Sequence, residues 1–248
     1  MTESTDRQPP LFIEQDLRGA RFVNTDLSGA VMRAVGLAGV DIDTDLRRTE
    51  LRVNGIDVVP LVEAELNQRF PGRELRRAAD PDGLQAAWAA VERTWAATLD
   101  RVAAMPAGTV DVSVDGEWTF AQTLRHLVLA TNAWLHGAIQ RVEQPFHPIG
   151  QPFDEYESDG FDMSIFVADP PSYEDVLDVR AAHVATVRDF LAATTPEQLA
   201  ESRGNPWAPQ HEVSVIACLH VILNEEWEHH RYAVRDLDAI ERGDSTGG

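Results

Sequence analysis

The chain has 248 residues, of which 41 are acidic and 21 are basic, so its formal net charge is −20. This acidity argues against sequence-independent binding to nucleic acid and against attraction to an anionic membrane surface. No apolar run reaches the ~20 residues of a membrane-spanning helix, and the first residues lack the features of a secretory signal, so we expect a cytoplasmic protein. Cys218 is the single cysteine and lysine is absent, which excludes an intramolecular disulfide and lysine-based chemistry.

Apolar residues recur at every fifth position near the start of the chain. A period of five fits neither an α-helix nor a β-strand. The pattern resembles pentapeptide repeats, which form a right-handed β-helix with the central residue of each repeat inside; the alternative is an irregular arm. A segment of about two coils is too short to be stable alone, so we expect it to pack against another domain. The central positions are Leu17, Phe22, Leu27, Met32, Leu37 and Ile42 and, after a slip of one residue, Leu46, Leu51 and Ile56.

From residue 57 onward the apolar residues follow the spacing of α-helices. A capping box of Thr119 and Gln122 predicts the start of one helix, and Gly243 predicts the end of the last. Four long helices after residue 80 favour a bundle. We predict helices over residues 57–70, 84–105, 119–141, 172–194 and 213–242, a short helical turn at 195–197, and a hairpin-like excursion at 107–117.

The patterns divide the chain into five parts. Residues 11–57 are the repeat arm, 58–79 a connecting helix and linker, and 80–243 the helical bundle, while 1–10 and 244–248 are expected to be disordered. Within the bundle, residues 142–171 lack periodicity and are rich in proline and aromatic residues. A loop of this length is typical of a lid or a binding segment; the alternative is an aromatic strap that only covers the bundle.

The last predicted helix presents two glutamate–histidine pairs with a spacing of four residues. Glu226 and His230 continue its apolar face, where such side chains are costly unless they are paired, hydrogen-bonded or bound to a cation. Glu225 and His229 lie on a more polar face, which favours contacts with solvent or with another helix. The sequence therefore favours Glu226 and His230 as ligands of a metal ion, with His126 from the second long helix as the third.

A family resemblance supports this arrangement. Trp118 stands at the start of a helix, His126 follows eight residues later, and Glu226, His230 and Arg231 lie far downstream. The arrangement resembles the DinB superfamily over about residues 80–242. The resemblance implies a mainly α fold, a DinB-like four-helix bundle, here preceded by the pentapeptide-repeat arm. It also implies a metal site with one ligand from the second helix and two from the fourth, with Glu226 in the place of the usual middle histidine.

The implied ligand set, His126, Glu226 and His230, suits several divalent metals. Zinc is the metal we expect first, iron suits the same two histidines and one carboxylate, and nickel and manganese stay open. The alternative is a branch that has lost its metal, in which Glu226 and His230 form a hydrogen-bonded pair in the core. We expect His136, His183, His220 and Cys218 to be structural, and we assign no catalytic residue beyond the ligands.

The resemblance implies an enzyme that uses a low-molecular-weight thiol such as mycothiol, in an S-transfer or an isomerisation. A metal-dependent hydrolase with the same ligands is an alternative reaction. A different class of function is a non-enzymatic interaction protein, either an acidic pentapeptide-repeat adaptor or a DNA mimic, neither of which needs a metal. We expect a small-molecule substrate as the partner, with no nucleic acid or membrane; a homodimer and a protein partner at the arm stay open.

Overall fold

The computed structural model describes residues 10–23, 25–44 and 50–243. The chain divides into two compact units, Met1–Asp45 and Leu46–Gly248. The disorder predicted for both ends of the chain falls outside the described residues, apart from the exposed Pro10, and so does the predicted repeat centre Leu46.

The first unit is a series of regularly spaced turns. Gly19, Gly29 and Gly39 each adopt a left-handed backbone conformation, and the amide that follows each glycine binds the carbonyl three residues earlier. The backbone therefore repeats every ten residues, the length of two five-residue repeats. The described central residues between 17 and 42 are 45–59% exposed, however, and no strand lies in residues 10–23 or 25–44. The predicted β-helix arm is not confirmed, because fewer than two coils leave little neighbouring coil to cover the inner side chains.

The second unit begins with a small hairpin and a connecting helix. Strand β1 (Arg52–Val53) pairs antiparallel with β2 (Ile56–Asp57), and helix α1 (Val59–Arg69) follows. A 3₁₀ turn at Arg73–Arg77 then carries two buried arginines. Arg73 contacts both Glu63 of α1 and Glu228 near the end of the chain, so these ion pairs hold α1 against the rest of the unit.

Four long helices form the body of this unit and pack on one another in a bundle. Each begins at a side chain that accepts a hydrogen bond from a backbone amide of the first turn: Asp80, Thr119, Ser172 and Ser214. The capping box of Thr119 and Gln122 is present as predicted. The four helices are α2 (Pro81–Ala103), α3 (Phe120–Thr131), α4 (Tyr173–Ala193) and α6 (Val215–Arg242).

Their shared core contains large aromatic and aliphatic side chains, among them Trp88, Leu124, Leu219 and Trp227, each at most 2% exposed. Because both α3 and α6 contribute to this core, the positions of their polar side chains are fixed by the packing. Every helix among the described residues is either too short or too polar to span a bilayer.

Three elements differ from the sequence-based prediction. After α3 the helix continues as a π-helix over Asn132–Ile139, so the predicted single helix changes its winding half-way. Between α2 and α3 the structure has a 3₁₀ turn, Thr109–Asp111, in place of a hairpin. Between the short helix α5 (Pro196–Leu199) and α6 lies an antiparallel hairpin of β3 (Ser202–Asn205) and β4 (Ala208–Ser214), which the sequence analysis did not predict.

Candidate metal centre

Two helices bring three ligand-type side chains to one place. His126 of α3 meets Glu225 and His229 of α6, and one ligand atom from each lies within 4.8 Å of the others. Nε2 of His126 is 3.6 Å from Oε2 of Glu225, and Nδ1 of His229 is 3.5 Å from the same oxygen. Glu225 and His229 are one helical turn apart and therefore project in the same direction.

Backbone carbonyls fix the orientation of both imidazole rings. Nδ1 of His126 is 3.0 Å from the carbonyl oxygen of Gln151, in the segment that links α3 to α4. Nδ1 of His229 is 3.0 Å from the carbonyl oxygen of Glu225. When each Nδ1 carries the proton and donates to its carbonyl, each Nε2 keeps a free lone pair. Histidines that bind metals are held in this way, with the second ring nitrogen donating to a carbonyl or carboxylate.

The protonation state and exposure of the site suit a cation that small molecules can reach. Burial, reinforced by the neighbouring His126, lowers the pKa of His229 to about 4, so its imidazole is neutral at neutral pH. The side chains of His126, Glu225 and His229 are 10%, 24% and 14% exposed, so the site keeps partial contact with solvent. Trp118 covers part of it, with its ring 4.6 Å from that of His126.

The structure places the two predicted α6 ligands elsewhere. Glu226 is 1% exposed, and its Oε2 accepts a hydrogen bond from Nη2 of Arg180 at 2.5 Å. His230 is 4% exposed, and its Nε2 lies 2.8 Å from the hydroxyl of Thr98. Neither belongs to the group that contains His126, and no other group of three such ligands occurs among the described residues.

The difference follows from helix geometry. Successive residues of an α-helix are rotated by about 100°, so residues 226 and 230 point to a different side of α6 from residues 225 and 229. The apolar face correctly indicated that Glu226 and His230 are buried, but these side chains find partners on α4 and α2. The more polar face is the one that meets His126. The partly polar character of the face that carries Glu225 and His229 could have indicated these two residues as the ligands, because a metal site that accepts a substrate needs contact with solvent.

The three other histidines expected to be structural, and the cysteine, have structural surroundings. His183 is buried and hydrogen-bonds through Nδ1 to the carbonyl of Val179, and His220 binds the carbonyl of Ala78. His136 is 3.0 Å from the side-chain amide of Asn132. Cys218 is fully buried, which raises the pKa of its thiol to about 11 and keeps it protonated.

A comparison with protein-family models shows the family to which the helical bundle belongs. The family model of the DinB superfamily matches residues 90–233, more than half of the chain. The chain belongs to the DinB superfamily. The DinB match contains His126, Glu225 and His229 but does not extend to the turns of the first unit. A comparison with curated proteins finds no significant match, and a comparison with solved structures finds none either.

The residues present fit the metal that membership of the DinB superfamily often implies. Two imidazoles and one carboxylate form a donor set used for zinc and for non-haem iron. The imidazoles of His126 and the neutral His229, together with the carboxylate of Glu225, give a site with the charge and the lone pairs that a divalent cation requires.

Proposed function

We propose that His126, Glu225 and His229 bind a divalent metal ion, with zinc as the first expectation and nickel, iron and manganese as the other candidates. The observation that carries this proposal is the convergence of one ligand atom from each of His126, Glu225 and His229 within 4.8 Å. Nε2 of His126 lies 3.6 Å from the Glu225 carboxylate, and the Nδ1 atom of each imidazole lies 3.0 Å from a carbonyl oxygen that orients the ring. The proposed set keeps His126 from the sequence-based prediction and moves the two α6 ligands by one residue.

We further propose that the protein is an enzyme that uses this metal with a low-molecular-weight thiol, such as mycothiol, in an S-transfer or an isomerisation. A bound divalent cation lowers the pKa of a thiol, which supplies a nucleophile at neutral pH. The protein has no accessible cysteine in the described part of the chain, so a small thiol would have to come from outside. Glu225 contributes negative charge, and Trp118 shields one side of the site from water.

In this proposal the segment 142–171 covers the substrate and also supports the site. The backbone carbonyl of Gln151 holds the ring of His126, and the backbone N–H of Gln151 donates a hydrogen bond to the carbonyl of Arg125. Aromatic side chains of the segment, including Phe146, Phe153 and Tyr156, pack around Trp207 of the β3–β4 hairpin. A movement of this segment would therefore change both access to the site and the orientation of a ligand.

Elemental mass spectrometry tests the metal proposal. We expect about one divalent ion per chain in the parent protein and in His211→Ala, which alters an exposed histidine of β4. We expect loss of the metal in Glu225→Gln and in His229→Ala, with the helical circular dichroism spectrum unchanged. A parent protein that stays free of metal after reconstitution with zinc, nickel, iron and manganese would contradict the proposal. Equal metal content in His229→Ala and the parent would contradict the ligand assignment.

An activity screen separates the thiol-dependent enzyme from a hydrolase on the same ligands. The metal-loaded protein is assayed with electrophilic substrates in the presence and in the absence of mycothiol, beside His229→Ala. Turnover that needs both the thiol and His229 supports the proposal. Turnover that needs His229 but not the thiol favours the hydrolase.

A second candidate function, that of an interaction protein, rests on the first unit. Its described apolar residues at five-residue spacing are 45–59% exposed, which is unusual for side chains of this size when several occur in a row. We propose that this pentapeptide-repeat-like row associates with a second copy of the chain. Light scattering of the parent and of the triple variant Leu17→Ser, Leu27→Ser and Leu37→Ser tests it: a dimer that the variant loses supports self-association, and a monomeric parent excludes it.

A further inference from the structure

A buried arginine next to the candidate metal centre lacks an acidic partner. Arg125 precedes His126 on α3 and is 8% exposed. Its Nε atom donates a hydrogen bond to the carbonyl of Ile149 at 2.7 Å. Neither of its Nη atoms has a hydrogen bond to a described residue, and no carboxylate of residues 10–23, 25–44 or 50–243 forms an ion pair with it.

The other three buried arginines of the described residues each form an ion pair with a carboxylate. Arg73 and Arg76 both contact Glu63, and Arg180 contacts Glu226. The chain has about two acidic residues for each arginine, so a carboxylate for Arg125 would have been easy to supply. The absence of one at this position distinguishes Arg125 from the arginines that serve the packing of the bundle.

A buried cation without a counter-charge is costly, because it loses hydration and gains no ion pair in return. An anion that binds at the guanidinium would offset this cost. The two Nη atoms are not among the fully enclosed polar atoms without a partner, so each keeps some contact with solvent.

The linking segment connects Arg125 to the candidate metal ligand. Arg125 binds the carbonyl of Ile149, and His126 binds the carbonyl of Gln151, two residues further on. Two consecutive residues of α3 therefore bind the same short part of the linking segment. Arg125 does so through its guanidinium, and His126 does so through its imidazole. A molecule at the guanidinium would lie against the same support as the ring of His126.

We propose that Arg125 is the anchor of an anion subsite that binds an oxyanion group, a carboxylate or a phosphate, of a small-molecule ligand. The planar guanidinium presents parallel N–H donors that match both groups, and with Nε already used the Nη donors serve the ligand. The net charge of −20 repels anions from the general surface, so saturable binding of an anion would report a specific site. This subsite does not require that a metal be bound.

Nuclear magnetic resonance of the arginine Nε–Hε groups tests the proposal on the whole protein. Sodium succinate and inorganic phosphate are titrated separately at constant ionic strength, with sodium chloride as the control. The Arg125 signal is identified by its absence in Arg125→Met. We expect a saturable shift of this signal with at least one of the two oxyanions and none with chloride, and the probe that binds identifies the group that the subsite takes.

Matched variants complete the test. Because variants without Arg125 lack this signal, their affinity and that of the parent are compared by isothermal titration calorimetry with the same oxyanion. Arg125→Lys keeps the charge but loses the planar donors, and we expect about tenfold weaker binding. Arg188→Met removes an arginine whose side chain is 55% exposed and paired with Glu92, and we expect no change in binding. His229→Ala should also bind as the parent does, which separates this subsite from the metal proposal. No saturable shift of the Arg125 signal in the parent, or equal binding by a folded Arg125→Met, would overturn the proposal and leave Arg125 as a support of the linking segment.

Discussion

Nη2 of Arg180 donates a hydrogen bond to Oε2 of Glu226 at 2.5 Å, inside the helical bundle. The two side chains are 5% and 1% exposed, so this ion pair links α4 to α6 away from water. On α6, Glu226 directly follows Glu225, one of the candidate metal ligands. The pair therefore fixes the rotation of α6 at the turn that carries two of the candidate metal ligands.

The first prediction concerns this ion pair. Arg180→Met leaves the carboxylate of Glu226 buried without a counter-charge, which should reduce the free energy of unfolding by about 3–5 kcal/mol. The double variant Arg180→Met with Glu226→Leu removes both charges, and we expect it to recover most of the loss. Urea denaturation of the parent, the single variant and the double variant measures both effects. A single variant as stable as the parent would show that the pair does not stabilise the bundle.

The second prediction concerns Gly72, in the turn between α1 and the Arg73–Arg77 segment. Its φ of +99° is unfavourable for other residues, and a Cβ atom there would lie 2.6 Å from the Cβ atom of Ala90 on α2. We expect Gly72→Ala to lower the free energy of unfolding by about 3 kcal/mol, through backbone strain and overpacking together.

Gly108→Ala is the control for this clash. Gly108 has a similar φ of +88°, but no atom lies within 4 Å of the position of its Cβ. This variant should show only the backbone cost, about 1 kcal/mol. Equal losses in the two variants, measured by chemical denaturation, would contradict the role assigned to the contact with Ala90.

The third prediction is a dependence of stability on pH that involves His183. Burial lowers the pKa of this histidine to about 4, and its Nε2 is 2.7 Å from the side-chain amide nitrogen of Asn132, so the ring is held neutral. An unfolded histidine has a pKa of ~6.5, so at pH values between about 4 and about 6.5 the unfolded chain binds more protons at this residue than the folded protein does. The contribution to stability is therefore complete above about pH 6.5 and is lost as the pH falls towards 4.

For His183 alone the loss between about pH 7 and about pH 5 amounts to about 2 kcal/mol. His183→Gln should lower stability at neutral pH and should show a correspondingly shallower decrease on acidification. The measurement is a series of denaturation curves across this range, with the exposed His211→Ala as the control variant. If the free energy of unfolding of His183→Gln falls with pH as steeply as that of the parent, the pH dependence belongs to other groups.

The fourth prediction concerns Trp118, whose ring is 4.6 Å from that of His126 and 6.1 Å from that of His229. Its packing restricts the rotation of both imidazoles, so its removal should weaken metal binding without removing a ligand. We expect Trp118→Ala to reduce the affinity for zinc about tenfold, as is typical when the support of a metal ligand is lost. Trp118→Phe keeps an aromatic ring and should retain most of the affinity. A competition titration with a chelator measures both, and unchanged affinity in Trp118→Ala would exclude the supporting role.

Much of the helical part could be predicted because its signals are local. The capping box of Thr119 and Gln122, the serine caps of α4 and α6, and the left-handed Gly243 each act within one turn of backbone. The family resemblance of the bundle, and His126 within it, also follow from short motifs. The π-helix at Asn132–Ile139 carries no comparable local signal, and neither does the pairing of β3 with β4.

The sequence by itself determined that Glu226 and His230 are buried, since both continue an apolar face of α6 and α6 packs on the other helices through that face. It did not determine what they contact. Only the tertiary structure decided that Arg180 of α4 and Thr98 of α2 are their partners. Two glutamate–histidine pairs with the same spacing differ only by a rotation of about 100° around the helix axis. The Arg180–Glu226 ion pair and the packing of α6 against α2 and α3 together set that rotation, which brings Glu225 and His229 to His126.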